Sequence, residues 1–442
     1  MPQTYDLLLR NGQLFTTGGL VQADVGIRDG RIAAIGATGD AGQVIDCTGL
    51  TVLPGVIDTQ VHFREPGLAH KEDLESGSRA AVLGGITGVF EMPNTSPNTD
   101  SAEALADKLT RARDRMWCEH AFYVGATNEN AEQLGELERL PGAAGVKVFM
   151  GASTGSLLVS DDDVLARVLA NGRRRVAIHA EDEARMQARL GERVAGDPSS
   201  HPVWRDDESA MLATRRILKL AREARRRIHV LHVTTPAELE LLGMNKDIAS
   251  CEVTPQHLTL AAEEAYPALG TLAQMNPPIR SAAHRDGLWH WLNQGVPDVI
   301  GSDHAPHTLE EKAKPYPGSP SGMPGVQTLL PLMLDHVAAG RLTLQRLVDL
   351  VCYGPQRLFG LTAKGRIVVG YDADFTIVDL KRQWTVEESW LASRCGWSPF
   401  TGRTLTGKPI GTIIRGRQAM WDGELAPAAF GRPFRFDETI RG

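Results

Sequence analysis

Residues 51–92 read TVLPGVIDTQVHFREPGLAHKEDLESGSRAAVLGGITGVFEM. A short apolar run, Thr51–Ile57, precedes a helix-like pattern over Lys71–Leu83, and a second apolar run follows at Thr87–Met92. Strand, helix, strand in close succession marks a β-α unit of a parallel sheet. The alternation continues through a helical Ala102–Arg113 and apolar runs at Ala121–Gly125, Gly145–Met150, Arg175–His179, Ile228–Val233 and Pro297–Ile300. About eight such units fit a (β/α)₈ barrel, expected over residues 52–364.

Outward from this core the texture is different. Leu7–Leu9, Ala23–Ile27 and Arg31–Ile35 read as short strands, separated by the hairpin signals Arg10-Asn11-Gly12 and Arg28-Asp29-Gly30. Such a segment is too small to bury a core alone. Strand texture returns after Gly360, where Lys364–Gly370 leads to Ala373–Asp379, followed by Gly411–Arg415 and Gln418–Trp421. Residues 1–51 and 365–442 are therefore expected to share one small β domain. Ala313–Pro324 holds four prolines and is expected to be an extended loop near a barrel mouth.

Composition narrows the functional classes. The chain has 442 residues, 42% of them hydrophobic, and a formal net charge of −7. That balance argues against general affinity for nucleic acid or an anionic membrane. Arg173–Arg175 and the Arg222–Arg227 cluster are read as solvated helix C-termini, where cations suit the dipole. No apolar stretch is long enough to span a bilayer. Five scattered cysteines with no C-x-x-C pair fit a reducing cytoplasm rather than a disulfide framework. The opening residues show neither the basic nor the apolar region of a secretory signal.

Five ionisable residues stand on or just after strand-like runs: His62, Lys147, His179, His232 and Asp303. Polar groups at the C-terminal ends of parallel strands converge on one barrel mouth. Three imidazoles, an aspartate and a lysine gathered there make a metal site. Taken singly, each histidine reads more simply as a hydrogen-bonded core residue; five in succession do not. His229 is expected to face away from His232 by strand alternation, or to bond locally. His120, His284, His290 and His336 read as surface or structural. An ammonium between cations would be repelled, but a buried lysine can lose its proton. Its neutral amine could then take up carbon dioxide as a bridging carbamate.

The ordered motifs resemble a known family. They are Asp58-x-Gln60-x-His62-x-Arg64-Glu65-Pro66-Gly67, Glu91-Met92-Pro93-Asn94-Thr95, His179-Ala180-Glu181-Asp182, Leu231-His232-Val233-Thr234, Glu252 through Leu258, Asn276-Pro277-Pro278-Ile279-Arg280 and Ser302-Asp303-His304-Ala305-Pro306-His307. The set is similar to the dihydroorotase branch of the amidohydrolase superfamily over nearly the whole chain. The resemblance implies a (β/α)₈ barrel with a composite β-sandwich. It also implies zinc, one or two ions, with N6-carboxylated Lys147 as bridge. His62 and Asp303 would hold one ion, and His179 and His232 the other. Arg64, Asn94, His307 and Asn276 would bind substrate, Asp303 would move the proton, and the loop carrying Ser153 and Thr154 would close over the site. The implied reaction is reversible cyclisation of N-carbamoyl-L-aspartate, a small anionic substrate, in a homodimer.

One departure stands out. The family has His-x-His after its first barrel strand, whereas this chain has Gln60-x-His62. An amide oxygen is a weaker zinc ligand than imidazole. Gln60 ligating, a weaker first metal, a one-metal site and loss of catalysis are all consistent with that change. Two rival readings follow: a hydantoinase or allantoinase, and a non-catalytic partner of aspartate carbamoyltransferase. Arg64 could also serve structure alone, by pairing with Glu65 or Glu72.

Overall fold

The computed structural model describes residues 4–153 and 157–439. Eight parallel strands form the central sheet in chain order: Val56–Val61, Ile86–Glu91, Glu119–Gly125, Ala143–Phe149, Val176–His179, Ile228–Val230, Ala249–Val253 and Val299–Ile300. They are referred to as barrel strands one to eight. The sheet closes beyond its last strand, where Val61 bridges His304 in parallel and the His62 N–H donates to the His304 carbonyl at 2.7 Å. Every residue of these strands is buried, as befits a parallel sheet covered on both faces. The result is a (β/α)₈ barrel.

Local signals start the helices. Asp73 caps Leu74–Leu83 by accepting from the Ser76 N–H, and Ser76 returns a bond to the cap. That helix buries Leu74, Ala80, Ala81 and Val82 against the outside of the barrel. Inside, Phe90 meets Tyr123, Phe359 and Phe434 edge-on at ring centroid distances of 6.0, 5.1 and 5.6 Å. Phe434 and Phe436, from the C-terminal tail, thus plug the barrel from below. Gly88 is required there, since a Cβ would stand 2.1 Å from the Phe434 ring.

A seven-stranded sheet joins the two ends of the chain. Thr51–Pro54 lies between Gln13–Thr16, which it pairs in parallel, and Phe375–Thr385, which it pairs antiparallel. A four-stranded sheet, in the order Arg31–Ile35, Val25–Arg28, Thr4–Arg10 and Asp40–Asp46, packs with it. Leu7, Leu9, Ile27 and Val52 meet Phe375, Ile377 and Ile413 in their common core. The first fifty residues are therefore buried by strands from the far end of the chain.

Several expectations need correction. Thr51–Ile57 is two strands rather than one. The break is at Gly55, where a Cβ would lie 2.5 Å from Thr87 Oγ1. Lys364–Gly370 forms turns, not a strand, because Lys364 is drawn inward. No strand is expected from the sequence at Gln13–Thr16, Gly19–Gln22, Asp40–Asp46 or strand seven, and the structure has all four. The basic runs are not wholly solvated. Arg226 is buried, its Nη2 2.5 Å from Glu138 Oε2 and its Nε donating to the Arg174 carbonyl at 2.7 Å. Arg174 is also buried and donates to the Ala143 carbonyl at 2.6 Å. These guanidiniums tie off backbone that would otherwise lack partners.

Lys364 links the two substructures. Its ammonium lies 2.5 Å from Glu119 on strand three, 2.6 Å from Asp374 and 3.1 Å from Asp372. Burial alone would discharge it, but the three carboxylates outweigh burial and hold its pKa above the usual lysine value. Lys364→Met should strand those buried charges and destabilise the chain by about 3–5 kcal/mol. Urea unfolding checks this, and a loss below about 1 kcal/mol would contradict it.

His336 offers a pH test away from the barrel mouth. Its Nδ1 accepts from Arg341 at 3.1 Å, and burial with that guanidinium lowers its pKa to about 3. The folded chain keeps it neutral, whereas the unfolded chain takes up a proton below the ordinary value of 6.5. Its contribution is complete above that value and is lost as pH falls toward the folded one. The stability gap between the parent and His336→Gln should therefore shrink by about 1.4 kcal/mol per pH unit below 6. A gap that stays constant down to pH 4.5, an arbitrary end point of about two units of titration, would refute the assignment.

Candidate active site

The C-terminal mouth of the barrel encloses a small polar cavity of about 20 Å³ lined by Gln60, His62, Arg64, Asn94, Lys147, His179, His232, Asn276 and Asp303, among others. That is room for little more than a water-sized body. A larger chamber of about 310 Å³ adjoins it and shares Ser153, Asn276 and Ser321.

Backbone irregularities aim the side chains. Strands three and four slip register between Phe122, paired with Ala143, and Tyr123, paired with Gly145. The extra residue is a β-bulge, with Gly145 at φ +142°, and it turns Lys147 toward the barrel interior. His232 and Asp303 follow their strands with φ of +36° and +45°, and Arg64 has φ +64°. Three non-glycine residues in left-handed conformations at one mouth is backbone strain concentrated at a site. His229 does not point away from this interior. It stacks edge-on near Phe359 at 5.6 Å and bonds locally to Ser250 Oγ at 2.8 Å, nearer the N-terminal end than His232.

His62 and His179 each have one nitrogen held from behind and one presented. The Asn94 amide oxygen sits 2.7 Å from His62 Nδ1, leaving His62 Nε2 3.2 Å from Asp303 Oδ1. Glu181 Oε2 takes His179 Nε2 at 2.8 Å, leaving His179 Nδ1 3.0 Å from His232 Nε2. Glu181 is itself held by Arg205, with Nε 3.0 Å from Oε1. Burial would raise the Glu181 pKa, but Arg205 and His179 outweigh it and keep the carboxylate ionised. Carboxylate or amide partners behind an imidazole fix its tautomer and orientation, as behind metal ligands.

Among the described residues, no three His, Cys, Asp or Glu side chains are grouped closely enough to hold an ion. The donors form two pairs, His62 with Asp303 and His179 with His232. Burial is the main cause that lowers the pKa of all three histidines, and any charge on Lys147 adds to it. Lys147 Nζ is buried without a hydrogen-bond partner, as are His232 Nδ1 and Gln60 Oε1. Burial lowers the Lys147 pKa to about 7, against weaker opposition from Asp303 and Glu252. A partnerless neutral amine between two donor pairs fits a divalent cation once it is converted into an anionic carbamate, and not before. The Gln60 amide nitrogen donates to Asp303 Oδ1 at 3.0 Å.

Arg64 is the cavity's fixed positive charge. Its Nε donates to the Pro306 carbonyl at 3.2 Å, while Nη1 is buried with no partner. Neither Glu65 nor Glu72 pairs with it. Glu65 pairs with Arg115 at 2.8 Å, and Glu72 receives His304 at 3.3 Å. His307 stands behind Arg64 and does not line the cavity. One ring nitrogen donates to the Ser321 carbonyl at 3.0 Å and the other accepts from Lys71 at 3.1 Å. Asn276 lines the cavity and accepts from His201 at 2.9 Å. Ser153 lines it too, whereas Thr154 falls outside the described residues. Sequence reasoning missed the roles of Glu181, Arg205 and His201. Glu181 sits in the quoted His179-Ala180-Glu181-Asp182 motif, and that spacing was the available signal. The proline-rich loop is nailed down by buried Lys312, which donates to the carbonyls of Gln274, Pro320 and Gly322.

Comparison with known proteins agrees with this geometry. The model of the Amidohydrolase family matches residues 51–419. A dihydroorotase of Methanosarcina mazei is 36% identical, with 97% of this chain and 96% of that protein covered. An L-hydantoinase of Paenarthrobacter aurescens is 35% identical, with 97% of each covered. The solved L-hydantoinase (dihydropyrimidinase) of Arthrobacter aurescens superposes with a TM-score of 0.91 at 32% identity, over 98% of this chain and all of that one. A parallel barrel with imidazoles, a lysine and an aspartate at its mouth, matched by these relatives over nearly its full length, belongs to the amidohydrolase family and is a cyclic amidohydrolase.

Proposed function

We propose that the chain is a zinc-dependent dihydroorotase, closing N-carbamoyl-L-aspartate to L-dihydroorotate and reopening it. The observation that carries this reading is Arg64, whose buried Nη1 has no partner beside the donor cavity. A ring bearing a carboxylate supplies the anion this fork is built to bind. An uncharged hydantoin leaves the buried charge unanswered.

His62 and Asp303 would hold one ion, His179 and His232 the other, and carboxylated Lys147 would bridge them. A metal held there would supply Lewis acidity to the ring amide and to water near neutral pH. Asp303 accepts the proton from the attacking water and returns it to the leaving ring nitrogen. Gln60 and His62, both within hydrogen-bonding distance of Asp303 Oδ1, orient that carboxylate. Arg64, with Asn94 and Asn276, anchors the substrate carboxylate, and Ser153 stands at the cavity wall. His307 supports Arg64 from behind. With its amide nitrogen turned to Asp303, Gln60 makes the first metal the weaker one.

The same proposal divides the chain into a β domain of residues 1–51 and 365–442 and a catalytic barrel of 52–364, with Thr51–Pro54 straddling the boundary. It places the enzyme in the cytoplasm, consistent with five buried free cysteines, and makes it a homodimer, to be checked by its mass in solution. Association with aspartate carbamoyltransferase belongs to the rival non-catalytic reading, which bound zinc and turnover would exclude.

A second reading is hydantoin hydrolysis, favoured by the L-hydantoinase relatives and by the roomy outer chamber. Side-by-side assays of dihydroorotate, dihydrouracil, allantoin and a 5-substituted L-hydantoin separate the two. Arg64→Ala should lower kcat/KM for carbamoyl-aspartate about a hundredfold or more with metal content unchanged. Near-parental kinetics in that variant, or preference for the uncharged rings, would remove the dihydroorotase assignment. Gln60→His should raise the metal retained after dialysis against a chelator, toward two ions per chain. Unchanged retention would mean that Gln60 already serves as well as imidazole.

A further inference from the structure

A second cleft opens at the opposite end of the barrel. It encloses about 430 Å³ and is lined by five arginines: Arg31, Arg415, Arg417, Arg432 and Arg435. Glu119, the first residue of strand three, forms part of its wall, so it sits below the barrel and far from the donor cavity. Five guanidiniums in one cleft of a chain with net charge −7 is a local reversal of sign.

The ion pairs there leave an excess of positive charge. Glu119, Asp372 and Asp374 share Lys364. Glu119 also pairs with Arg415, and Arg435 Nη2 reaches both Asp372 oxygens at 3.2 and 3.1 Å. Three carboxylates thus serve Lys364, Arg415 and Arg435. Arg31 donates to the Gly370 carbonyl at 2.7 Å and stands 3.8 Å from Asp372, a carboxylate already engaged. Arg417 places its guanidinium over the Phe430 ring, 4.0 Å from the centroid. Neither Arg417 nor Arg432 has a side-chain hydrogen bond or ion pair among the described residues. Asp29 is the remaining acid in the lining.

The cleft is also held in shape. Arg415 has φ +47°, its N–H donates to Asp374 Oδ1 at 2.7 Å, and its Nη2 donates to the Phe430 carbonyl at 2.9 Å. A strained arginine locked at both ends, beside one placed over an aromatic ring, costs little further ordering on binding. The volume lies within the ~300–1,000 Å³ range of small-ligand sites.

We propose that this cleft binds a multiply charged phosphate anion, as pyrophosphate or as the phosphate tail of a nucleotide, between Arg31, Arg417 and Arg432. Planar guanidiniums match phosphate oxygens two at a time. The bound anion spans the N-terminal hairpin, the barrel floor and the C-terminal strands. It therefore stabilises the joined arrangement against unfolding. Ring hydrolysis at the opposite mouth makes no use of these residues.

Calorimetric titration of the full chain with pyrophosphate, at constant ionic strength, is the test. One saturable site per chain is expected, weakened about tenfold or more in R417Q/R432Q, weakened also in R432Q alone, and unchanged in R222Q. Arg222 is an exposed arginine elsewhere, paired with Asp247. Equal affinity for ATP and pyrophosphate assigns the phosphates alone; tighter ATP binding adds the nucleoside. No saturable binding, or undiminished binding in R432Q and the double variant, overturns the proposal. So does an oligonucleotide that outcompetes pyrophosphate with a steep salt dependence, which would make the patch a nucleic-acid surface.

Discussion

Everything at the barrel mouth turns on a lysine with nothing to bond to. Lys147 is buried, and its amine lies over the Phe149 ring, 4.4 Å away, with no hydrogen-bond partner among the described residues. Burial of the ammonium there outweighs the more distant charges of Asp303 and Glu252 and drives it toward the neutral form. Two imidazole-containing pairs flank it, each fixed from behind by Asn94 or by Glu181 and Arg205. The carbamate proposed on Lys147 would place an anion beside those two pairs.

The architecture was readable because two periodicities are strong. Apolar runs bounded by capped helices give the barrel, and the Asp29-Gly30 hairpin signal gives the N-terminal strands. The five metal-site candidates were readable for the same reason: each follows or interrupts an apolar run. Their aim was not readable. Alternation alone would set His229 and His232 on opposite faces, yet both serve the interior, because the backbone at His232 turns left-handed. Likewise the bulge at Gly145 decides where Lys147 points, and a one-residue slip leaves no mark in hydrophobic patterning.

Long side chains escaped the sequence in another way. Arg174 and Arg226 look like solvated charge in a basic run, but each reaches backbone carbonyls inside the fold. Lys312 does the same, while Lys364, at the other end of the molecule, reaches three carboxylates. A flexible stem lets a cation travel several ångströms from its Cα, so its burial depends on acceptors distant in sequence. His307 shows the converse: its motif marks it for substrate, but Lys71 and the Ser321 carbonyl occupy both of its nitrogens.

The seven-stranded sheet has a temporal consequence. Thr51–Pro54 is made early, yet its antiparallel partner, Phe375–Thr385, leaves the ribosome more than three hundred residues later. Until then an apolar strand presents an open edge, and open edges invite association with other chains. Closing so long a loop is entropically slow, so this pairing should rank among the late events of folding. Nascent chains that stall within the barrel would carry that uncovered edge, which makes them natural clients for a chaperone that shields β-strands.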